Sequence, residues 1–204
     1  DCTSLESVTM TDSVTEMGEF AFRNCTALKS VTLSNSLTVL EEGVFQSCSE
    51  LTEITIPNSV TELNSFLFYD CTNLTDITIP ESVSGFHQQV FYHTPWLAAQ
   101  QARTPLVIFN NIVIDGTRCT DHVVIPDGVI GIADSAFRNI STDPVTITSV
   151  ELPETLKFIG ENAFWECTLL SDINFPSSLT TIQEGAFSMC DSLKEISLPD
   201  SITT

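Results

Sequence analysis

Seven cysteines and three histidines hold most of the chemistry open to this 204-residue chain. Cys119-Thr120-Asp121-His122 puts a nucleophile, an acid and an imidazole within four residues, the group types a thiol hydrolase uses. Neighbours in sequence seldom converge in triad geometry, so the favoured reading is a loop cysteine leading into a strand. His87 and His93 follow no metal-ligand spacing. Glu53 and Asp76 offer carboxylate oxygens, but two carboxylates fall short of the six to eight ligands calcium takes. The sequence shows no Ser/His/Asp set, paired-carboxylate cleft, Gly-rich phosphate loop or metal spacing. It reads as that of a non-enzyme with no cofactor.

The other six cysteines are informative through their register. Cys2, Cys25, Cys48 and Cys71 fall 23 residues apart, and Cys167 and Cys190 repeat that interval downstream. Three positions before them stand Phe22, Phe45, Phe68, Phe164 and Phe187, with Phe91 and Phe137 in the same phase. A fixed period of 20 to 29 residues means a solenoid, in which equivalent side chains stack in columns. Stacked cysteines therefore form an interior ladder. The favoured reading is buried free thiols packing as small hydrophobes, with one oxidised pair or a metal as alternatives.

Each unit must contain the elements that hold these columns. The complete form is Leu51, Ile54, Ile56, Pro57, Val60, Leu63, Phe68 and Cys71. Ile54 and Ile56 are two apart, so both point inward while Thr55 points out, and Pro57 removes the amide that would extend the strand. A strand of about four residues cannot bury its apolar face alone. Stacking the next unit roughly 4.8 Å away makes a parallel sheet with a continuous core, closed on the far side by Val60, Leu63, Phe68 and their equivalents.

The units run 5 to 27, 28 to 50, 51 to 73 and 74 to 96, then 120 to 146, 147 to 169, 170 to 192 and a partial unit from 193. Phe137 and Phe164 are 27 apart, and the four extra residues are expected as a loop around Ser141 to Pro144. Residues 97 to 119 break the rule. Thr94-Pro95 opens a helix over Trp96 to Ala102 that Pro105 ends. Leu106 to Phe109 and Ile112 to Ile114 then flank Asn110-Asn111 as a hairpin that replaces one coil. The expected organisation is one solenoid, 1 to 204: an N-terminal array 1 to 96, the helix-hairpin insert 97 to 119 and a C-terminal array 120 to 204. The insert reads as a joint between the arrays, or alternatively as a docking feature presenting Trp96. The chain opens just before a phase mark and stops inside a unit, which reads as a segment of a longer protein.

Net charge is −20, with 7 Lys and Arg against 27 Asp and Glu, which opposes nucleic acid and anionic membrane. No apolar run approaches a membrane span, so no direct membrane insertion is expected. Asn24-Cys-Thr26, Asn73-Leu-Thr75 and Asn139-Ile-Ser141 match the N-glycosylation tripeptide and read as ordinary polar turns.

Units such as Leu51-Thr-Glu-Ile-Thr-Ile-Pro-Asn-Ser-Val60 followed by Phe68-x-x-Cys71 resemble the BspA-like leucine-rich repeats of bacterial cell surfaces and some protozoan parasites. The Trp-Leu helix and the hairpin ending in Ile114-Asp115-Gly116 before Val123 to Val129 also resemble an insert of such proteins. The resemblance implies an α/β-type repeat solenoid, mostly β. Its coil is right-handed, with a parallel sheet on one face, short strands and turns on the other, and one helix-hairpin insert. The family's Gly before the turn is kept at Gly18 and Gly160 and replaced at Glu41, Asn64, His87, Ala133 and Gln183, where looser turns are expected.

Outward strand positions make the expected working surface. One column reads Thr9, Thr32, Thr55, Thr78, Val124, Glu151, Asn174 and Ser197; its neighbour reads Ser7, Ser30, Glu53, Asp76, His122, Ser149, Asp172 and Glu195. The candidate surface is Thr9, Thr32, Thr55, Thr78, Glu53, Asp76, Glu151 and Asn174, with Trp96 on the insert. The expected function is a monomeric, extracellular or cell-surface module for protein interaction or adhesion, meeting a protein or glycan on a host cell, a neighbouring cell or matrix. The alternative is an accessory binding module of a secreted carbohydrate-active or cellulosomal protein.

Overall fold

The computed structural model describes residues 1–139 and 145–203, so the loop expected around Ser141 to Pro144 lies outside the described residues. The chain divides into two compact units, Asp1–Arg103 and Thr104–Thr204. In the first, β1 (Ser7–Thr9), β2 (Ser30–Thr32), β3 (Val39–Leu40), β4 (Glu53–Thr55), β5 (Glu62–Leu63), β6 (Asp76–Thr78) and β7 (Gly85–Phe86) lead to α1 (Pro95–Arg103). The second contains β8 (Val107–Phe109), β9 (Ile112–Asp115), β10 (Thr120–Val124), β11 (Gly131–Ile132), β12 (Thr146–Glu151), β13 (Phe158–Ile159), β14 (Asp172–Ile173) and β15 (Thr181–Ile182). Both are mostly-β solenoids, and α1 is the one helix among the described residues.

Apart from the first coil, which contributes β1 alone, each complete coil contributes two short strands. On the outward face of the first unit β1 pairs with β2 and β4 with β6, both parallel and in register with the 23-residue period. Ile54 and Ile77 point inward while Glu53, Thr55, Asp76 and Thr78 are exposed, as alternation requires. The opposite side carries a second parallel ladder, β3-β5-β7, in which Leu40 pairs with Leu63 and Leu63 with Phe86. In the second unit the outward ladder is β10-β12-β14 and the opposite one β15-β13-β11-β9-β8.

The core lies between the ladders. Phe22, Phe45, Phe68 and Phe91 stack with centroids 5.8, 5.9 and 6.1 Å apart, and Phe137, Phe164 and Phe187 with spacings of 4.8 and 5.3 Å. Val60, Leu63, Phe68 and Cys71 are wholly buried. Burying each large apolar side chain contributes about 1.5–3 kcal/mol, and the coils from residue 28 to 96 each bury several of them.

The insert forms as its residues dictate. Thr94 caps α1: its Oγ1 accepts from the Leu97 amide at 3.2 Å and donates to the Phe91 carbonyl at 2.7 Å. Asn110 and Asn111 both take positive φ, which turns the β8-β9 hairpin. Strand β9 then pairs parallel with β11, Ile112 opposite Gly131 and Val113 opposite Ile132, so the hairpin supplies a rung of the opposite ladder. The helix belongs to the first unit and the hairpin to the second.

The turns do not need a left-handed backbone at the family's glycine, although at Gly160 the backbone of Ala133 and Asp134 leaves no room for a Cβ. Neither Gly18 nor Gly160 has positive φ; the left-handed residue comes two positions later, at Phe20, Gly43, Phe66, Gln89, Ser135, Asn162 and Gly185. Losing glycine at Glu41, Asn64 or His87 therefore imposes no backbone strain.

Candidate interaction surface

The outward strand positions form the surface that alternation predicts. Thr9, Thr32, Thr55, Thr78, Glu53 and Asp76 are all exposed, as are Val124, Glu151, Asn174 and Ser197 in the second unit. Thr9 sits opposite Thr32, Thr55 opposite Thr78, Glu53 opposite Asp76 and Val124 opposite Glu151. Inward neighbours fix these positions, because a slip of one residue would turn Ile54 and Ile77 to water.

Depressions lie on these faces. One in the first unit, about 500 Å³, is lined by Ser30, Thr32, Asn35, Glu53, Thr55 and Asp76, with Val31 and Ile54. It spans the place where the outward ladder is interrupted, between the β1-β2 and β4-β6 pairs. The second unit has one of about 320 Å³ at His122, Ser149, Glu151, Asp172 and Asn174, and one of about 690 Å³ around Asp172, Asn174, Lys194 and Glu195.

Trp96 is placed differently from the docking alternative. It is 4% exposed, with its ring 4.6 Å from Phe91 and its amide donating to the Leu74 carbonyl at 2.9 Å. It therefore presents no open side-chain face. Tyr69, Tyr92 and Trp165 are partly exposed on the turn ridges: Tyr69 stacks on Tyr92 at 5.5 Å, and the Arg138 guanidinium lies 4.4 Å from the Trp165 ring. Burial, then Asp70, then Tyr92 raise the Tyr69 phenol above its ordinary value.

Cys119, Asp121 and His122 do not converge. Cys119 is 5% exposed and its thiol is pushed up to about 11, by burial first and then by Asp115, while Asp121 and His122 face water. His122 instead reaches the next rung, with Nδ1 2.7 Å from Ser149 Oγ and Nε2 3.9 Å from Glu151 Oε2. This trio has the residue types of a hydrolase. Its acid contact exceeds hydrogen-bond length, and both Glu151 and the imidazole are more than half exposed, so it has no preorganised, water-excluded environment.

All seven cysteines are free. Four of the six ladder thiols donate to a phenylalanine carbonyl of the preceding coil: Cys48 to Phe22, Cys71 to Phe45, Cys167 to Phe137 and Cys190 to Phe164, at 3.0–3.2 Å. Burial pushes Cys48 up to about 12 and Cys190 to about 11, and drives Cys71 and Cys167 higher still. Such thiols are packing groups rather than nucleophiles.

Three pairs went unseen in the sequence. His87 Nε2 lies 3.2 Å from Glu62 Oε2, whose carboxylate occupies the space above Gly85 where a Cβ would collide. His93 Nδ1 meets Asp70 Oδ1, and His122 meets Ser149. For two of them the signal was phase: Asp70 and His93 are 23 apart, and His122 and Ser149 are 27 apart across the longer repeat, whereas Glu62 and His87 are 25 apart.

The repeat, the paired ladders and the phenylalanine stacks agree with the comparison to known families. The description "BspA type Leucine rich repeat region" matches in six copies, over residues 1–104 and 108–204. The chain belongs to the BspA-type leucine-rich repeat family. Among solved structures it is similar to a leucine rich cell surface protein from Faecalibacterium prausnitzii, at 27% identity and TM-score 0.48, covering 98% of this chain and 68% of that one. It is also similar to the pneumococcal vaccine antigen PcpA, at 27% identity and TM-score 0.49, covering 98% and 46%. A leucine-rich repeat protein from Bacteroides ovatus shares 22% identity at TM-score 0.44, covering 96% and 49%. The chain thus spans only about half the length of the PcpA and Bacteroides ovatus chains. No curated protein matches it.

Proposed function

We propose that this BspA-type chain is a non-enzymatic interaction module that works outside the cell or at its surface, contacting a protein partner through its outward strand faces. The observation that carries this reading is the register of Thr9, Thr32, Thr55 and Thr78 beside Ser7, Ser30, Glu53 and Asp76. It is a polar face whose positions are rigidly set by the core beneath it. The repeat commits its leucines, isoleucines, phenylalanines and ladder cysteines to packing, which leaves the outward columns and the turn ridges for recognition. No helix among the described residues is long and apolar enough to cross a membrane.

Attachment of coated beads tests the reading. Beads carrying the chain are expected to be retained, above albumin-coated beads, on at least one of an epithelial monolayer, a matrix gel or a bacterial lawn. Thr32→Arg with Thr55→Arg places two bulky side chains in the middle of the face and should abolish retention. Thr38→Arg with Thr61→Arg, also exposed but beside the opposite ladder, should leave it intact. No retention on any surface, or equal loss in both variants, would overturn the proposal.

A further inference from the structure

The groove over the interrupted ladder has a chemistry of its own. Its polar walls are Ser30, Thr32, Asn35, Glu53, Thr55, Asp76 and Thr78, and no lysine, arginine or histidine lines it. Glu53 and Asp76 are paired in register on adjacent rungs, about 4.8 Å apart at the backbone. Neither forms an ion pair with a cation among the described residues, whereas Glu6, Glu62, Asp70 and Glu151 each have Lys29 or a histidine within 4 Å. Val31, Leu33, Ile54 and Pro57 complete the lining.

Spacing adds a second constraint. Thr55 and Thr78 lie two residues beyond Glu53 and Asp76 on the same strands, about 6.8 Å further along. An extended peptide projects alternate side chains at that same interval. A segment lying along β4 and β6 with a basic residue at the carboxylate pair therefore sets its residue two positions on over the threonine hydroxyls.

We propose that this groove of the first unit receives an extended basic segment of a protein partner, of the form Lys/Arg-x-Ser/Thr/Asn/Gln, with the cation between Glu53 and Asp76. This deepens the interaction-module reading and rests on it. The net charge of −20 draws such a segment in at long range, and the groove then fixes its position. The second unit lacks this character, because Lys194 and His122 stand among its outward carboxylates.

The probe is a fluorescein-labelled peptide with three Lys-Ala-Thr repeats, titrated with the whole chain and followed by anisotropy at low and at physiological salt. Saturable binding is expected that weakens as salt rises. Glu53→Gln with Asp76→Asn should weaken it about tenfold. Glu16→Gln with Glu19→Gln removes the same charge from exposed turn positions and should change it less than about twofold. Thr55→Lys, which places a cation in the groove itself, should also abolish binding. Equal loss in the two acidic double variants would mean general attraction to a polyanion and would overturn the proposal, as would no binding by the wild-type chain. Spermine that competes as well as an unlabelled copy of the peptide would overturn it too, since the site would then take any polycation. Bead retention separates the two readings: retained beads with no peptide binding defeat the basic-segment inference alone, and loss of both defeats the module itself.

Discussion

His93 Nδ1 lies 2.6 Å from Asp70 Oδ1, joining two residues one full period apart across neighbouring coils. The imidazole also sits 4.0 Å from the Tyr92 ring, so one side chain clasps both coils on the turn ridge. His87 and His122 also face Glu62 and Glu151 on adjacent coils, each pair two residues off phase. The Asp70–His93 pairing is what stacking does to a repeat: along an uninterrupted run of units, residues 23 apart become neighbours.

These clasps are expected to matter little to stability. His93 and Asp70 are 54% and 40% exposed, and solvent screens such a pair. His93→Ala should lower stability by less than about 1 kcal/mol, measured by urea unfolding. A loss several times larger would show that the turn ridge holds the coils together.

The phenylalanine stack should behave in the opposite way. Phe68 is wholly buried between Phe45 and Phe91, and removing its ring leaves a cavity that neighbouring coils cannot fill without shifting. Phe68→Ala should cost about 3–5 kcal/mol by the same unfolding measurement, and Phe68→Leu clearly less.

The thiol ladder sets an alkaline limit. Cys48 is raised from 9.0 to about 12, and Cys119 and Cys190 from 9.0 to about 11. A group whose folded pKa is raised stabilises the fold fully below its unfolded value and loses that contribution as pH climbs toward the folded one. Stability should therefore be unaffected by these thiols up to about pH 8, then fall between pH 9 and 12. Thermal melts across that range check this, and Cys48→Val should fall less steeply. At pH 8 a thiol reagent should label exposed Cys2 first and the buried ladder only on unfolding.

Calcium should have no effect. Glu53 and Asp76 supply too few oxygens, and among the described residues no group of three or more His, Cys, Asp or Glu side chains could hold a metal ion. The melting temperature in millimolar calcium should equal that in chelator; a rise of several degrees would show that the groove binds the ion.

Trp96 provides a spectroscopic check on the packing. It is buried against Phe91, whereas Trp165 is half-buried under Arg138. With Trp165→Phe, the remaining emission should be blue-shifted and poorly quenched by acrylamide, and Trp96→Ala should destabilise the chain by about 3–5 kcal/mol. Ready quenching would place Trp96 at the surface.

Much of this molecule was legible in the chain because repetition converts sequence distance into space. The phase of Ile54, Pro57, Phe68 and Cys71 was enough to place the outward strands, their exposed threonines and the buried core, since a period of two within a strand and 23 between strands leaves one consistent arrangement. Thr94-Pro95 and Asn110-Asn111 marked the helix and hairpin through local backbone preference alone. The opposite ladder was harder to see, because pairs such as Val39–Leu40 and Glu62–Leu63 are too short to show an alternation.

The tertiary structure decided the rest. It buried Trp96, a residue whose sequence neighbours gave no sign of the ring of Phe91 beneath it. It moved the left-handed turn position two residues past the glycine, because φ follows from how the coil closes and not from residue type alone. It interrupted the outward ladder between β2 and β4, opening a groove where the columns read from sequence are unbroken. A repeat determines which residues share a column. How far apart adjacent coils sit at each column depends on the packing of their side chains, and that exists only once the chain is folded.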